Sequence, residues 1–324
     1  MIPAFRLAVL CAVCACSTSF AQSNQGYPSR PIRIIVQFTP GTSTDIMARV
    51  VAQKLSVSFG QQVVVDNRPG AGAVLGTEMG AKAAPDGHTL TMAVSSAFGI
   101  NPTLYAKLPY DAVKDFEPII NLALTPQTLV ASPSASFKTV KEFVTAARDK
   151  SGTINYASLG SGSTSHLTSE MFRAAAGIKI NHIPFKGSGD AHTQLIGGQI
   201  PAMFDAIPAT MPHIKSGRLR GLGIATLKRS VFLPDLPTVA ESGFPGFEAV
   251  GWIGIAAPAK TPGAVLDKLN AELQRMLNEP DVKDRLNTLA FTPVGGTRKE
   301  FGDYMKSEIA KWGKAVKESG ARVD

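Results

Sequence analysis

Short apolar runs alternate with segments of helical periodicity along most of the chain. The run at residues 32–38 leads into a helical pattern at 46–55, and runs at 62–65 and 89–94 flank a second helical pattern. Strands and helices that alternate at this spacing are typical of a parallel sheet joined by crossover helices. The pattern therefore predicts an α/β fold.

The alternation continues through the rest of the chain. An apolar run at 119–130 is interrupted by Pro126, which we expect to mark a passage between domains. The predicted elements after it are a helix at 140–148, a strand, turn and helix at 154–176, a strand at 179–183, a helix at 190–196, strands at 202–204 and 219–225, a strand at 252–258, and helices at 262–278, 281–289 and 299–318.

Two segments of similar sequence suggest a hinge. Residues 128–133 and 254–258 each form a predicted strand that ends in proline before a helix. We interpret them as strands that cross between two domains in opposite directions, because roughly 300 mature residues exceed the usual size of one core. The predicted domains are residues 22–126 together with 251–324, and residues 127–250.

Two strands run into turns that are rich in glycine, serine and threonine. The first turn (residues 39–45) and the second turn (residues 158–166) each lead directly into a helix. Helix N-termini carry unpaired amides and a partial positive charge, which suit a carboxylate or a phosphate. Ordinary helix caps use the same residue types. The pair therefore predicts one shared anion site, with simple capping as the alternative.

The two turns differ in one acidic residue. Thr42 and Asp45 fit a capping box, in which each side chain bonds the backbone amide of the other. The second turn has His166 at the equivalent position, and we expect that imidazole to face solvent. The second turn should therefore attract a carboxylate more strongly. Asp45→Asn should change the affinity less than an acid placed at position 166.

The first 21 residues have the layout of a secretory signal peptide. Arg6 precedes an apolar run at 7–15, and a cleavage site with small residues follows and ends at Ala21. The leader holds all three cysteines, Cys11, Cys14 and Cys16. Cleavage after Ala21 predicts a periplasmic product without thiols. Lipid anchoring at Cys16 is disfavoured, because Cys14 stands where a lipidation motif usually has a smaller residue.

Charge and motif spacing argue against several other classes of protein. The net charge is +8, or +7 without the leader, and its Lys and Arg residues are spread along the chain, so we expect no nucleic-acid partner. The glycines at 70–76 miss the dinucleotide-binding spacing by one residue. The five histidines lack metal-ligand spacing. We expect neither a cofactor nor a metal.

Two other kinds of function remain open at this point. A secreted serine hydrolase would use the turn from Ser158 to His166, with His166 activating a serine such as Ser163, although the serines do not fit a G-x-S-x-G elbow. A surface adhesin would bind no small molecule.

Motifs spread over the mature chain resemble a known family. They lie at residues 27–32, 38–45, 65–72, 83–87, 156–167, 184–187, 236–243 and 252–258. Together they resemble the Bug receptors, the extracytoplasmic solute-binding proteins of tripartite tricarboxylate transporters. The resemblance implies a two-lobed periplasmic-binding-protein fold of type II, in which each lobe is a mostly parallel sheet flanked by helices and two crossing strands form the hinge.

The resemblance also implies what the protein binds. A small organic acid, which could be a dicarboxylate, a tricarboxylate, an acidic amino acid or an aromatic acid, would be held by backbone amides, hydroxyls and water. No reaction is expected. A monomeric receptor would deliver the acid to membrane subunits of a transporter or to a sensor. Thr42 stands where relatives usually have a second glycine, and its methyl and hydroxyl groups leave the identity of the acid open.

The expected ligand-binding residues come from the two turns and from nearby strand ends. The first turn and the strand before it contribute Phe38, Thr39, Gly41, Thr42, Ser43 and Asp45. The second turn contributes Ser158, Gly160, Ser161, Ser163, Thr164, Ser165 and His166. Secondary candidates are Ser95, Ser96 and Asp205.

Overall fold

Ten strands and ten helices make up the described part of the chain, residues 26–323 of a computed structural model. The strands are β1 (Ile32–Val36), β2 (Val63–Asn67), β3 (Thr89–Val94), β4 (Phe116–Ala131), β5 (Asn155–Ser158), β6 (Asn181–Pro184), β7 (Ala202–Ala206), β8 (Arg220–Ile224), β9 (Val250–Pro258) and β10 (Thr292–Gly295). The helices are α1 (Ser43–Phe59), α2 (Val74–Ala81), α3 (Asn101–Leu104), α4 (Val140–Asp149), α5 (Thr164–Ala176), α6 (Ser188–Ile196), α7 (Ile207–Lys215), α8 (Gly263–Asn278), α9 (Pro280–Thr288) and α10 (Arg298–Ser319).

The sheet has two parallel halves joined by an antiparallel pair. Its order is β2-β1-β3-β9-β4-β7-β5-β6, and β8 and β10 also pair with β4. In the first lobe β1 is parallel to β2 and β3, and in the second lobe β5 is parallel to β6 and β7. The predicted α/β fold, with two mostly parallel half-sheets and flanking helices, is confirmed.

Strands β4 and β9 form the connection between the lobes. They run antiparallel from the pair Phe116 and Pro258 to the pair Pro126 and Val250. Beyond Pro126, β4 continues into the second lobe and pairs with β7 and β8. Pro126 interrupts the apolar run of the sequence, but the strand itself continues through it. Pro126 is paired on one side only, where β4 changes partners, so its missing N–H leaves no gap in a second ladder.

Helix α10 packs against both lobes. Phe301 and Met305 belong to the apolar core of the first lobe, whereas Trp312 and Val316 belong to that of the second. Between them, the buried Glu308 accepts hydrogen bonds from two indoles, from Trp252 of β9 at 3.1 Å and from Trp312 at 2.7 Å. The helix therefore ties the connecting strands to the second lobe.

One helical segment was missed by the sequence pattern. A π-helical turn at Ser96–Ile100 runs into the short helix α3 directly after β3. Its residues are largely buried, and Gly99 and Pro102 hide its periodicity. The segment carries Ser95 and Ser96 to the space between the lobes.

The predicted leader, with Cys16, lies outside the described residues. Within residues 26–323, no helix is long and apolar enough to cross a bilayer.

Candidate ligand-binding site

The first and second turns begin their helices with the same cap. Thr42 and Ser163 are the N-cap residues of α1 and α5, and both have extended backbone dihedrals near φ −70° and ψ 158°. Their hydroxyl oxygens accept hydrogen bonds from the backbone amides of Asp45 at 3.3 Å and His166 at 3.1 Å. In each helix the two amides before the capped one have no partner within the helix. These amides belong to Ser43 and Thr44, and to Thr164 and Ser165.

A second hydrogen bond closes each turn. Asp45 Oδ2 accepts from the amide of Gly41 at 3.0 Å, and His166 Nδ1 accepts from the amide of Gly162 at 3.3 Å. We expected the Asp45 carboxylate to accept from the amide of Thr42, and this is wrong, because it accepts from the preceding amide, that of Gly41. Gly41 and Gly162 have φ near +87° and +86°, a conformation that favours glycine and turns the amide back toward the helix.

Asp45 is fully engaged away from the ligand side. Arg49 donates from Nε and Nη2 at 3.0 Å each, and Asn67 Nδ2 donates at 3.0 Å. Burial alone would raise the pKa of this carboxyl, but the hydrogen bonds from Arg49, Gly41 and Asn67 hold that pKa below its ordinary value. Asp45 thus stays ionised, and Arg49 neutralises it locally.

His166 is buried, so the expected solvent-facing position is wrong. Its side chain is 4% exposed, and its ring stacks on that of His182 with centroids 4.2 Å apart. Burial lowers the pKa of His166. Because Nδ1 accepts from Gly162, the proton of the neutral ring is assigned to Nε2. This imidazole shapes the second turn.

The serine-histidine geometry gives no support to a hydrolase. Ser163 Oγ accepts from the amide of His166, and His166 Nδ1 is occupied by Gly162, so this ring cannot take a proton from Ser163 through Nδ1. Ser158 does hydrogen-bond His182, but Ser158 is fully buried and lies outside the lining of the cavity between the turns.

A cavity of about 40 Å³ lies between the two turns. Nine of the expected residues line it, namely Phe38, Thr42, Ser43, Ser95, Ser96, Ser163, Thr164, Ser165 and Asp205. Eight further lining residues were not among the expected ones, namely Thr44, Val94, Thr125, Gln127, Leu159, Ala206, Trp252 and Ile253. Most of the latter lie on strands, where a polar residue such as Gln127 inside an apolar run was the available signal.

The other expected residues either hold the turns in shape or lie at the rim of the cleft. Asp45, Gly41, Ser158 and His166 hold the turns in shape, as described above, and Gly160 donates its amide to Ser158 Oγ at 3.1 Å. Thr39 and Ser161 lie at the rims of the cleft, where each faces a glycine of the opposite lobe, Gly187 and Gly72 respectively.

Direct contacts between the lobes hold the cleft closed. Ser95 Oγ lies 2.8 Å from Thr164 Oγ1, and the Tyr105 hydroxyl is 3.2 Å from the Ser161 carbonyl oxygen to which it donates. A Cβ built on Gly72 would lie 1.9 Å from that same carbonyl oxygen. The absence of a side chain at Gly72 is therefore needed for this degree of closure.

The fold and the cleft define a two-lobed binding protein that closes over a small polar cavity. The family model for the tripartite tricarboxylate transporter family receptor (TctC) matches residues 47–321, and the chain belongs to this family. It is 38% identical over 298 residues to protein BugT of Bordetella pertussis, covering 92% of this chain and 91% of BugT.

Solved structures agree with this assignment and with the expected type II fold. Rpa4515 of R. palustris, solved with adipate, has 32% identity and a TM-score of 0.89, covering 92% of this chain and all of that one. MatC (Rpa3494) from Rhodopseudomonas palustris, solved with bound malate, has 32% identity and a TM-score of 0.85, covering 90% of this chain and all of that one.

Gly72→Ala should prevent full closure of the two lobes, in addition to lowering the free energy of unfolding. Gly60 is the matched control, because it has a similar left-handed backbone (φ +62° against +56°) and no atom within 4 Å of a built Cβ. Both variants should lose about 1–2 kcal/mol of unfolding free energy through backbone strain. Only Gly72→Ala should show a larger radius of gyration by X-ray scattering. Equal radii for the two variants would contradict a role for Gly72 in closure.

The free energy of unfolding should decrease as the pH is lowered, and His182 should account for part of this loss. Burial and then the neighbouring His166 lower the pKa of His182 to about 3, while the unfolded chain has an imidazole pKa of about 6.5. Between these values the unfolded state binds more protons, so the free energy of unfolding decreases as pH falls below about 6.5. The melting temperature should drop less between pH 7 and 5 in His182→Gln than in the wild type. Parallel curves would contradict this assignment.

Proposed function

We propose that this protein is a periplasmic receptor that captures a small organic carboxylate between its lobes. One observation carries the proposal, which is that two capped helix N-termini from opposite lobes meet at one closed cavity. Their uncapped amides belong to lining residues, and amides at helix N-termini are preferred donors to anions. Carboxylates bound in the relatives Rpa4515 and MatC support this ligand class.

The proposed site binds an anion without a fixed positive side chain. None of the lining residues is lysine or arginine. The Thr42 hydroxyl donates to the Thr39 carbonyl oxygen at 3.2 Å, and the Thr164 hydroxyl is engaged with Ser95. The Ser163 hydroxyl only accepts in its cap and keeps its own proton to donate. The available donors therefore include the uncapped backbone amides and the hydroxyls of Ser43, Ser96 and Ser163. Helix dipoles and charge-assisted hydrogen bonds supply the attraction in such sites.

The size of the cavity fits one end of such a ligand. About 40 Å³ has room for roughly three or four non-hydrogen atoms at about 10–15 Å³ each. This matches a carboxylate group with its neighbouring carbon. A longer acid would need the cleft to stand wider than it does here.

The same proposal assigns the domains and the location. The two lobes would close about β4 and β9, as in hinge closure around ligands. One lobe would comprise residues 22–126 with 251–324, and the other residues 127–250.

A leader at residues 1–21 would direct the protein to the periplasm. There the protein would act as a monomer that delivers its ligand to transporter membrane subunits or to a sensor. We propose no catalytic step, because Ser158, Ser163 and His166 of the second turn are engaged in holding its shape.

Carboxylates should stabilise the protein in a thermal-shift panel. The panel contains dicarboxylates, tricarboxylates, acidic amino acids and aromatic acids, and the protein is refolded from denaturant to remove copurified ligand. A ligand at about 100 times its Kd adds about 2.7 kcal/mol and raises the midpoint by several degrees. Trp252 lines the cavity, so its fluorescence should change with the same ligands. A flat response to every acid would refute the receptor function.

Thr164→Pro should weaken binding of the acid found in that panel. Thr164 is the first residue of α5, where proline fits the helix but has no amide to donate. Losing one charge-assisted hydrogen bond should cost about 1.5–3 kcal/mol, or roughly 10- to 100-fold in Kd by calorimetry. Thr164→Ala is the matched control, because it removes the hydroxyl and keeps the amide. Equal affinities in the two variants would show that this amide does not bind ligand.

A further inference from the structure

Asp205 is a buried acid inside the ligand cavity. It lies near the carboxyl end of β7, lines the cavity and is 1% exposed. Its Oδ1 accepts a hydrogen bond from the amide of Ala206 at 2.8 Å. Its Oδ2 has no hydrogen-bond partner within residues 26–323. A buried acceptor without a partner is costly, and few remain so in native proteins.

The nearest candidate partner does not meet the requirements of a hydrogen bond. His192 Nε2 of α6 lies 3.1 Å from Asp205 Oδ2, but both atoms lack a hydrogen bond of acceptable direction. The two groups form an ion pair only when the imidazole is protonated. No lysine or arginine of the described chain forms an ion pair with Asp205. This carboxylate therefore retains unused acceptor capacity.

The cavity thus presents two poles of opposite hydrogen-bonding character. The uncapped amides of α1 and α5 only donate, and Asp205 as a carboxylate only accepts. A plain carboxylic acid would satisfy the first pole and face the second with like charge. A ligand that also carries a hydroxyl, ammonium or amide N–H would satisfy both. Because the cavity holds only a few atoms, the donor must lie close to the carboxylate.

We propose that Asp205 is a specificity-determining residue that selects carboxylates with a hydrogen-bond donor on a carbon near the carboxyl group, the class of 2-hydroxy and 2-amino acids. The proposal rests on the carboxylate-receptor function and narrows its ligand class. Sites built to bond a polar substituent reject analogues that lack it, because their own buried groups are then left without partners.

Matched trios of acids test the proposal at pH 7. Each trio has an unsubstituted, a 2-hydroxy and a 2-amino acid of one chain length: propionate, lactate and alanine; succinate, malate and aspartate; glutarate, 2-hydroxyglutarate and glutamate; adipate, 2-hydroxyadipate and 2-aminoadipate. Calorimetry should show, in the trio of the preferred length, at least tenfold tighter binding of a substituted acid than of the unsubstituted one.

Asp205→Asn separates the charge from the shape of the side chain. The amide oxygen still accepts from a hydroxyl but no longer pairs with an ammonium, so the preference for the 2-amino acid over both the unsubstituted and the 2-hydroxy acid should fall at least tenfold. Asp190→Asn on the exposed start of α6 is the matched control and should change neither value.

Each contrary outcome has a distinct meaning. Wild-type protein that binds every unsubstituted acid as tightly as its substituted partners would overturn the proposal and leave the receptor function intact. A 2-amino preference that survives in Asp205→Asn would overturn the role of Asp205. Absence of binding by all acids would refute the receptor function itself. If Asp205→Asn does not fold, the wild-type ratios still decide whether the ligand class is correct.

Discussion

Both sides of the cleft depend on one hydrogen-bonding arrangement, repeated at the start of α1 and of α5. The cap hydroxyl accepts from the third amide of the helix, and the side chain at that third position accepts from a glycine amide before the cap. Once these groups are paired, the first two amides of each helix still have no partner within the helix and face the cavity through lining residues. In the proposed receptor the turns would bind through their backbone amides, and their side chains chiefly maintain the backbone geometry.

Two packing features couple the two turns to the rest of both lobes. The first is the antiparallel pair β4 and β9, which connects the two lobes. The second is Glu308, which accepts hydrogen bonds from Trp252 at the cavity wall and from Trp312 in the core of the second lobe. A movement of one lobe relative to the other must therefore be accommodated along α10. At the opposite rim, closure depends on the missing side chain of Gly72, where two backbones meet. Ligand contacts in both lobes would favour the closed state.

The alternation of strands and helices predicted the fold class, and motifs spread along the whole mature chain predicted the family. Nine of the sixteen expected site residues line the cavity, because helix starts can be recognised locally. Gln127 and Trp252 were missed because their place in the site depends on long-range strand pairing, of β4 with β7 for Gln127 and of β4 with β9 for Trp252. His166 was assigned to the surface because its burial is set by stacking on His182 of β6, a partner outside its own helix. The helix at Ser96–Leu104 is too short and too rich in Gly and Pro to show a period.

The asymmetry between the turns has a different origin from the one that the sequence suggested. Asp45 does not weaken the first helix terminus at the cavity, because Arg49, one helical turn later, neutralises it. In the second turn the residue one helical turn after His166 is Glu170, a like charge for any acid placed at 166, and the nearby Arg173 is already paired with Glu170. Such an acid would be buried beside Glu170 without a cation of its own. The greater sensitivity expected at position 166 therefore follows from burial and repulsion within the turn. In the proposed site, the acidic side chain that a ligand would meet in the cavity is Asp205.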